Sequence, residues 1–359
     1  MNGFTPLDID EAWRNEAPFN IYGPCSAESP EQLLQTAAGI HERFGKVIFR
    51  AGIWKPRTRP DSFEGVGREG LVWLREVRDR FGFQVTTEVA SAQHVELCLE
   101  HGIDMVWIGA RSTVNPFSVQ EIAEALRGTG IPVFLKNPIH SDFSLWVGGL
   151  ERLNKVGIRK LGAIHRGFYE WNSKPYRYSP RWELPIELKR KFDRLPIVCD
   201  ISHIGGDPRL LPGLAQKALD LDFDGLMIET HVRPSEALSD ARQQITPAEL
   251  DGLVHGLIRR ETSFDANDGL LALRREIDDL DDVALAAIAK RMQVVREIGR
   301  FKREHNVTIL QVDRLREMIR RNVRNGEALG LDPDFVKQML SLVHSEAVRQ
   351  QNEIMNDEP

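Results

Sequence analysis

"FNIYGPCSAESPEQLLQTAAGIHERFGKVIFRAG", residues 19–52, carries the pattern on which the fold turns. Asn20-Ile21-Tyr22 reads as the end of a short strand. Gly23 and Pro24 break it, and Ser29-Pro30-Glu31 opens an amphipathic helix. "KVIFRAG" then returns as a second apolar, β-branched run. Cys25 falls on the turn between strand and helix, where it is expected to be exposed and held by backbone. The same unit recurs to about residue 232, with strands at "FQVTTEV", "MVWIGAR", "PVFLKN", "KLGAIHRG", "LPIVCDIS" and "GLMIETHV". These runs are continuously apolar rather than alternating, as parallel strands buried on both faces require. Eight strands separated by helical segments match a (β/α)8 TIM barrel, an α/β fold. A doubly wound open sheet is the alternative.

Composition narrows the class. The chain has 359 residues, a formal charge of -6 and three cysteines, Cys25, Cys98 and Cys199. A net acidic chain does not point to a nucleic-acid partner. So few cysteines give no disulfide framework and fit a reducing compartment. The N-terminus has no apolar signal core, and no apolar run approaches the roughly 20 residues that span a membrane. A cytoplasmic protein with small-molecule substrates is expected. Cys98, on a helix, and Cys199, within a strand, read as core residues.

"GVGREG", residues 65–70, matches the dinucleotide-binding fingerprint letter for letter. That fingerprint must follow a strand directly. Here it follows the polar stretch "TRPDSFE" and reads instead as a glycine-rich loop opening a helix.

The texture changes after residue 262. "TSFDANDG" is a polar linker, giving domains at 1–262 and 263–359. Leu270 to Glu304 is helical in pattern and uninterrupted by proline. Shorter helices follow at about 311–328 and from Pro333 to about 355. Three helices, one far longer than the others, cannot bury the long apolar face alone, so a small all-α domain that forms a homodimer is expected.

In a barrel the chemistry gathers at the C-terminal ends of the strands. Two sets of side chains arrive there. Cys25, His203, Glu229 and Asp240 combine a thiolate, an imidazole and two carboxylates. That mixture suits one divalent transition ion, Mn, Fe, Co or Zn, better than Mg. Arg50, Lys55, Arg57, Arg111, Lys136 and Arg166 form a cationic set. Six such residues at strand ends of an acidic chain imply a focused anion site, with guanidinium forks for phosphate and carboxylate.

"GPCS", "FRAGIWKPRTRP", "IGARSTVN", "FLKNP", "HRGF", "CDISHIGG" and "IETHVRPSEALSD" together resemble the type I-beta class of 3-deoxy-D-arabino-heptulosonate 7-phosphate (DAHP) synthase, over about residues 18–260. The resemblance implies condensation of phosphoenolpyruvate with erythrose 4-phosphate. It implies metal ligands Cys25, His203, Glu229 and Asp240, and phosphoenolpyruvate binding by Arg50, Arg111, Lys136 and Arg166. Lys136 is also a candidate proton donor. Lys55, Pro56, Arg57 and Thr58, the "KPRT" stretch, would hold erythrose 4-phosphate. The sister enzyme, 3-deoxy-D-manno-octulosonate 8-phosphate synthase, lacks that stretch.

"LLALRREIDDLDDVALAAIAKRMQVVREIGRFK" resembles the all-helical, dimeric chorismate mutase family, over about residues 268–355. The resemblance implies a chorismate site built from Arg274, Arg291, Lys302, Arg314 and Gln351. Lys302 and Gln351 would act on the ether oxygen, and Arg274 would reach a partner chain. Gln311 and Leu315 depart from the family pattern, which has an acidic residue and a glutamate there. The chain therefore reads as a bifunctional enzyme; the alternative makes the helical segment only a ligand-sensing and dimerisation module. The short stretch ahead of Phe19 leaves no room for a separate regulatory domain. Feedback by chorismate or prephenate is then expected through the C-terminal helices.

Overall fold

The computed structural model describes residues 5–55, 62–260 and 268–356. The chain divides into two compact units, Met1–Thr262 and Ser263–Pro359.

In the first unit eight strands alternate with eight helices. The strands are β1 Ile21–Gly23, β2 Ile48–Arg50, β3 Gln84–Val89, β4 Met105–Ile108, β5 Val133–Lys136, β6 Leu161–His165, β7 Ile197–Asp200 and β8 Gly225–Glu229. The helices are α1 Pro30–His41, α2 Glu69–Phe81, α3 Ala92–Glu100, α4 Pro116–Leu126, α5 Phe143–Lys155, α6 Glu183–Lys191, α7 Leu211–Asp220 and α8 Pro247–His255. Every strand pairs in parallel with the next, and β8 pairs with β1 through Ile21↔Met227 and Gly23↔Glu229. That closing ladder excludes the open sheet.

Alternation along the strands divides the core in two. Ile21, Ile48, Met105, Trp107, Phe134, Ile164, Val198 and Met227 fill the barrel interior. Trp13, from the short helix Glu11–Arg14, joins them and packs 4.8 Å from Phe19. The intervening residues, such as Val106 and Ile108, face the helices in a larger cluster that also contains Cys98 and Cys199. Both cysteines are therefore core residues, as their sequence positions indicate.

The outward-facing set includes a histidine. His165 of β6 is fully buried among Trp182, Phe168 and Phe223, with ring centroids 5.4, 5.8 and 6.1 Å away. Burial, reinforced by Arg166, pushes its pKa down to about 3 from 6.5. Between those values the unfolded chain binds a proton that the folded chain refuses, so stability falls as pH drops below 6.5. Denaturant titrations from pH 7 to 4 should show this slope. His165→Phe should make it shallower by up to one proton, whatever its effect at neutral pH.

The second unit has α9 Asp268–Glu304, α10 Val312–Ala328 and α11 Pro333–Asn356. These ranges agree with the sequence reading within two residues. With 37 residues, α9 is about 55 Å long. Its C-terminal third packs on α11 through Met292, Val295 and Ala347. Between residues 269 and 290 no residue is buried, and Leu273, Ile277, Leu280, Val283 and Leu285 are exposed. Among the described residues no helix is long and apolar enough to cross a membrane.

Candidate active sites

Gly23 ends β1 at φ +143°, and a Cβ there would lie 2.2 Å from the Arg50 carbonyl oxygen. Only glycine fits, and the tight turn that follows delivers Cys25 to the barrel mouth. The sequence places Cys25 on an exposed turn. In the structure it is only 1 % exposed, because Asp240 and Lys55 fold over it.

Cys25, Glu229 and Asp240 present ligand atoms that all lie within 4.8 Å of one another, a possible metal-binding trio. Cys25 Sγ is 3.5 Å from Asp240 Oδ2, and Lys55 Nζ donates to Sγ at 3.0 Å. His203 lies beside the trio. Its Nδ1 is 3.0 Å from Asp200 Oδ1 and 3.8 Å from Glu229 Oε1. The donor chemistry fits a borderline-soft divalent ion, and Glu229 Oε1 is buried with no hydrogen-bond partner. Burial, and after it Glu229, pushes the Cys25 thiol up to about 12. Burial alone would raise the Asp240 carboxyl, but Arg177, with His203 and Lys55, holds it at about 2. Asp240 also sits in the left-handed region at φ +47°, a strained conformation of the kind that gathers at functional sites.

The cations line the same mouth. Arg50, from β2, is buried beside Glu229 at 3.3 Å, and its Nε and Nη1 have no hydrogen-bond partner. Its guanidinium lies 5.0 Å from the Trp107 ring centroid, and the Lys136 ammonium lies 5.6 Å from the same centroid. Lys136 donates to Asp200 Oδ2 at 2.8 Å. Asp200 thus anchors both Lys136 and His203. The Arg166 guanidinium covers the Tyr178 ring at 3.5 Å. Burial would raise the Tyr178 hydroxyl, but Arg166, then Arg177 and Arg111, outweigh it and hold it below its usual value. Arg111, exposed on the helical turn Ala110–Thr113, therefore belongs to this cationic field. Pro56, Arg57 and Thr58 lie outside the described residues.

In the helical unit, α9 and α11 approach closely at Gly299, where a Cβ would lie 3.4 Å from Gln351 Cγ. Gln351 is buried. Its Nε2 donates to the Ala347 carbonyl at 3.2 Å, and its Oε1 has no hydrogen-bond partner. Arg291 Nη1 is likewise buried without one. Lys302 donates to the Ile309 carbonyl at 2.6 Å. Burial, then Arg291 and Lys302, holds the His344 imidazole below its usual value, which puts His344 within the field of those two cations. Arg274 and Arg314 are exposed, and Arg314 pairs with Glu317 at 2.7 Å. Leu315 is half-buried and offers no polar atom.

Residues 13–263 match the family model of the DAHP synthetase I family. The chain belongs to that family. Residues 273–352 match the model for chorismate mutase type II, and the two matches make the chain a bifunctional enzyme. Phospho-2-dehydro-3-deoxyheptonate aldolase of Thermotoga maritima is 32% identical over 245 residues, covering 67% of this chain and 69% of that protein. 2-Dehydro-3-deoxyphosphooctonate aldolase of Wolinella succinogenes is 28% identical over 272 residues, covering 66% of this chain and 97% of that protein. The crystal structure of the Thermotoga maritima DAHP synthase superposes with a TM-score of 0.59 at 31% identity, covering 66% of this chain and 67% of that one.

Several residues of the synthase mouth carry no signal in the sequence. Gln244 Oε1 accepts the Cys25 N–H at 2.9 Å, and Gln243 Nε2 donates to Glu229 Oε2 at 2.5 Å. Arg177 pairs with Asp240 at 3.1 Å. Asn137 Oδ1 accepts the Arg166 N–H at 2.7 Å, locking the ends of β5 and β6 together. Nothing in "ARQQ" or "KPYRY" marks Gln243, Gln244 or Arg177, and "FLKNP" contains Asn137 without indicating its role, since each acts through a partner distant in sequence. Trp107 alone had a legible cue: its strand position faces the barrel interior beside Met105.

Proposed function

We propose that the barrel condenses phosphoenolpyruvate with erythrose 4-phosphate to give DAHP and phosphate, and that the helical unit rearranges chorismate to prephenate. The observation that carries the first assignment is the meeting of the Cys25–Glu229–Asp240 trio with Arg50, Lys136 and Arg166 at one mouth. Arg50, Arg111, Lys136 and Arg166 hold the phosphate and carboxylate of phosphoenolpyruvate. Lys55, with Pro56, Arg57 and Thr58, holds the phosphate of the aldehyde substrate. Holding both anions in register removes much of the entropic barrier as C3 attacks the aldehyde carbon. Water then adds at C2, and the C2-bound phosphate departs. We assign proton delivery to Lys136. Cys25, Glu229, Asp240 and His203, the last through Nε2 because Asp200 engages Nδ1, would hold a divalent Mn, Fe, Co or Zn ion, which when bound polarises the aldehyde oxygen.

In the mutase unit, Lys302 and Gln351 hydrogen-bond the ether oxygen as its bond to carbon breaks. Arg291 and Arg314, with Arg274 of a second copy, clamp the two carboxylates. The exposed apolar face of α9 is what a homodimer would cover. The fusion favours feedback in which chorismate or prephenate, bound to the helices, inhibits the barrel. Leu315 favours a second reading, in which the helices sense ligand without turning it over.

The full chain, stripped with chelator, tests this. Phosphoenolpyruvate consumption should vanish and return with one of the four ions, while chorismate turnover persists. Prephenate should suppress the restored reaction, and sedimentation should give at least a dimer. Chelator-insensitive consumption would sink the metal assignment, and absent chorismate turnover would leave the sensing role.

A further inference from the structure

The glycine-rich stretch at 65–70 and the helix α3 both press on Ile53, Trp54 and Lys55, the last of which opens the "KPRT" stretch. Gly67 N–H donates to the Ile53 carbonyl at 2.9 Å, and Lys55 N–H donates to the Glu64 carbonyl at 2.8 Å. A Cβ on Gly65, at φ +96°, would lie 2.2 Å from Ile53 O, and one on Gly70 would lie 2.4 Å from Ile53 Cγ2. The glycines of the false fingerprint thus let this loop clamp Ile53–Lys55. On the other side, the Trp54 ring stacks on the His94 imidazole, with centroids 3.8 Å apart and planes within 6°. His94 Nδ1 accepts the Ala90 N–H at 3.3 Å, which fixes the neutral tautomer and the plane of the ring. Lys55, the next residue, turns the other way and donates to Cys25 Sγ at 3.0 Å. A Cβ on Gly52 would lie 2.8 Å from Lys55 Nζ, so the lysine needs that gap.

We infer that His94 is a positioning residue for the aldehyde substrate: its stack on Trp54 sets the direction in which Lys55 enters the site. Trp54 and Lys55 share a peptide unit, so fixing the indole fixes the backbone from which the lysine leaves. His94 itself touches neither Cys25, Glu229 nor Asp240 in any hydrogen bond or ion pair among the described residues. The inference rests on the assignment of Lys55 to the phosphate of erythrose 4-phosphate.

Steady-state kinetics of the metal-loaded full chain tests it. His94→Ala should raise KM for erythrose 4-phosphate about three- to tenfold, the range an aromatic pair supplies. KM for phosphoenolpyruvate and kcat should stay within about twofold. His94→Phe, which keeps a stacking ring, should restore the lower KM. Trp54→Leu should reproduce the His94→Ala split if that variant folds poorly. Both KM values moving together, neither moving, or His94→Phe behaving like His94→Ala would overturn the inference. Absence of turnover by the unsubstituted chain would instead refute the reading beneath it.

Discussion

Cys25→Ala is expected to lower phosphoenolpyruvate consumption by at least about a thousandfold, the scale set by losing a metal-borne charge at the reacting oxygen. The thiol is buried, and burial with Glu229 pushes its pKa up to about 12. A cysteine in such surroundings is a poor nucleophile. It ionises only when something stronger than Lys55 compensates the thiolate, and a coordinated cation does this. Removing it leaves His203 with Glu229 and Asp240, the two carboxylates engaged by arginines at 3.3 and 3.1 Å. Calorimetric titration with Mn or Zn should show the loss of affinity directly. Chorismate turnover should be unaffected, which separates a local effect from misfolding. Retention of a tenth or more of the barrel activity with metal present would show that Cys25 is not a ligand.

Lys302→Met is the second large effect. Chorismate turnover should fall about 10²- to 10³-fold, as when a preorganised donor to a developing oxyanion is removed. Lys302 sits half-buried at the end of α9, and burial lowers its pKa from 10.5. In the proposed role the cation is the active form. Turnover by the unsubstituted chain should therefore decline with rising pH before an ordinary lysine would titrate, and Lys302→Arg should push that decline upward. Phosphoenolpyruvate consumption without prephenate should persist in Lys302→Met. A variant that keeps its mutase rate would move the weight to Gln351, whose Oε1, like Arg291 Nη1, is a buried side-chain atom without a hydrogen-bond partner among the described residues.

Much of this protein is written in local pattern. Short apolar runs punctuated by Gly and Pro specify strands and turns through backbone sterics alone. Their repetition leads to a parallel sheet covered on both faces, which the β8–β1 ladder closes into a barrel. Motifs such as "GPCS" and "IETHVRPSEALSD" mark Cys25, Glu229 and Asp240 within a few residues of strand ends, and the structure brings those three side chains together. The helical unit was legible for the same reason, since a proline-free amphipathic run declares its own length.

Tertiary structure alone decided how those side chains are held. Cys25 is buried, not exposed, because Asp240 arrives from a turn 215 residues away and Lys55 from one 30 residues away. Gln243, Gln244, Asn137 and Arg177 act across the barrel mouth, and Asp200 divides its carboxylate between Lys136 and His203. The glycines at 65–70 have a purpose only once they lie against Ile53. Local propensity depends on neighbours in the chain, whereas charge compensation and close approach depend on neighbours in space, and only closure of the barrel brings those together.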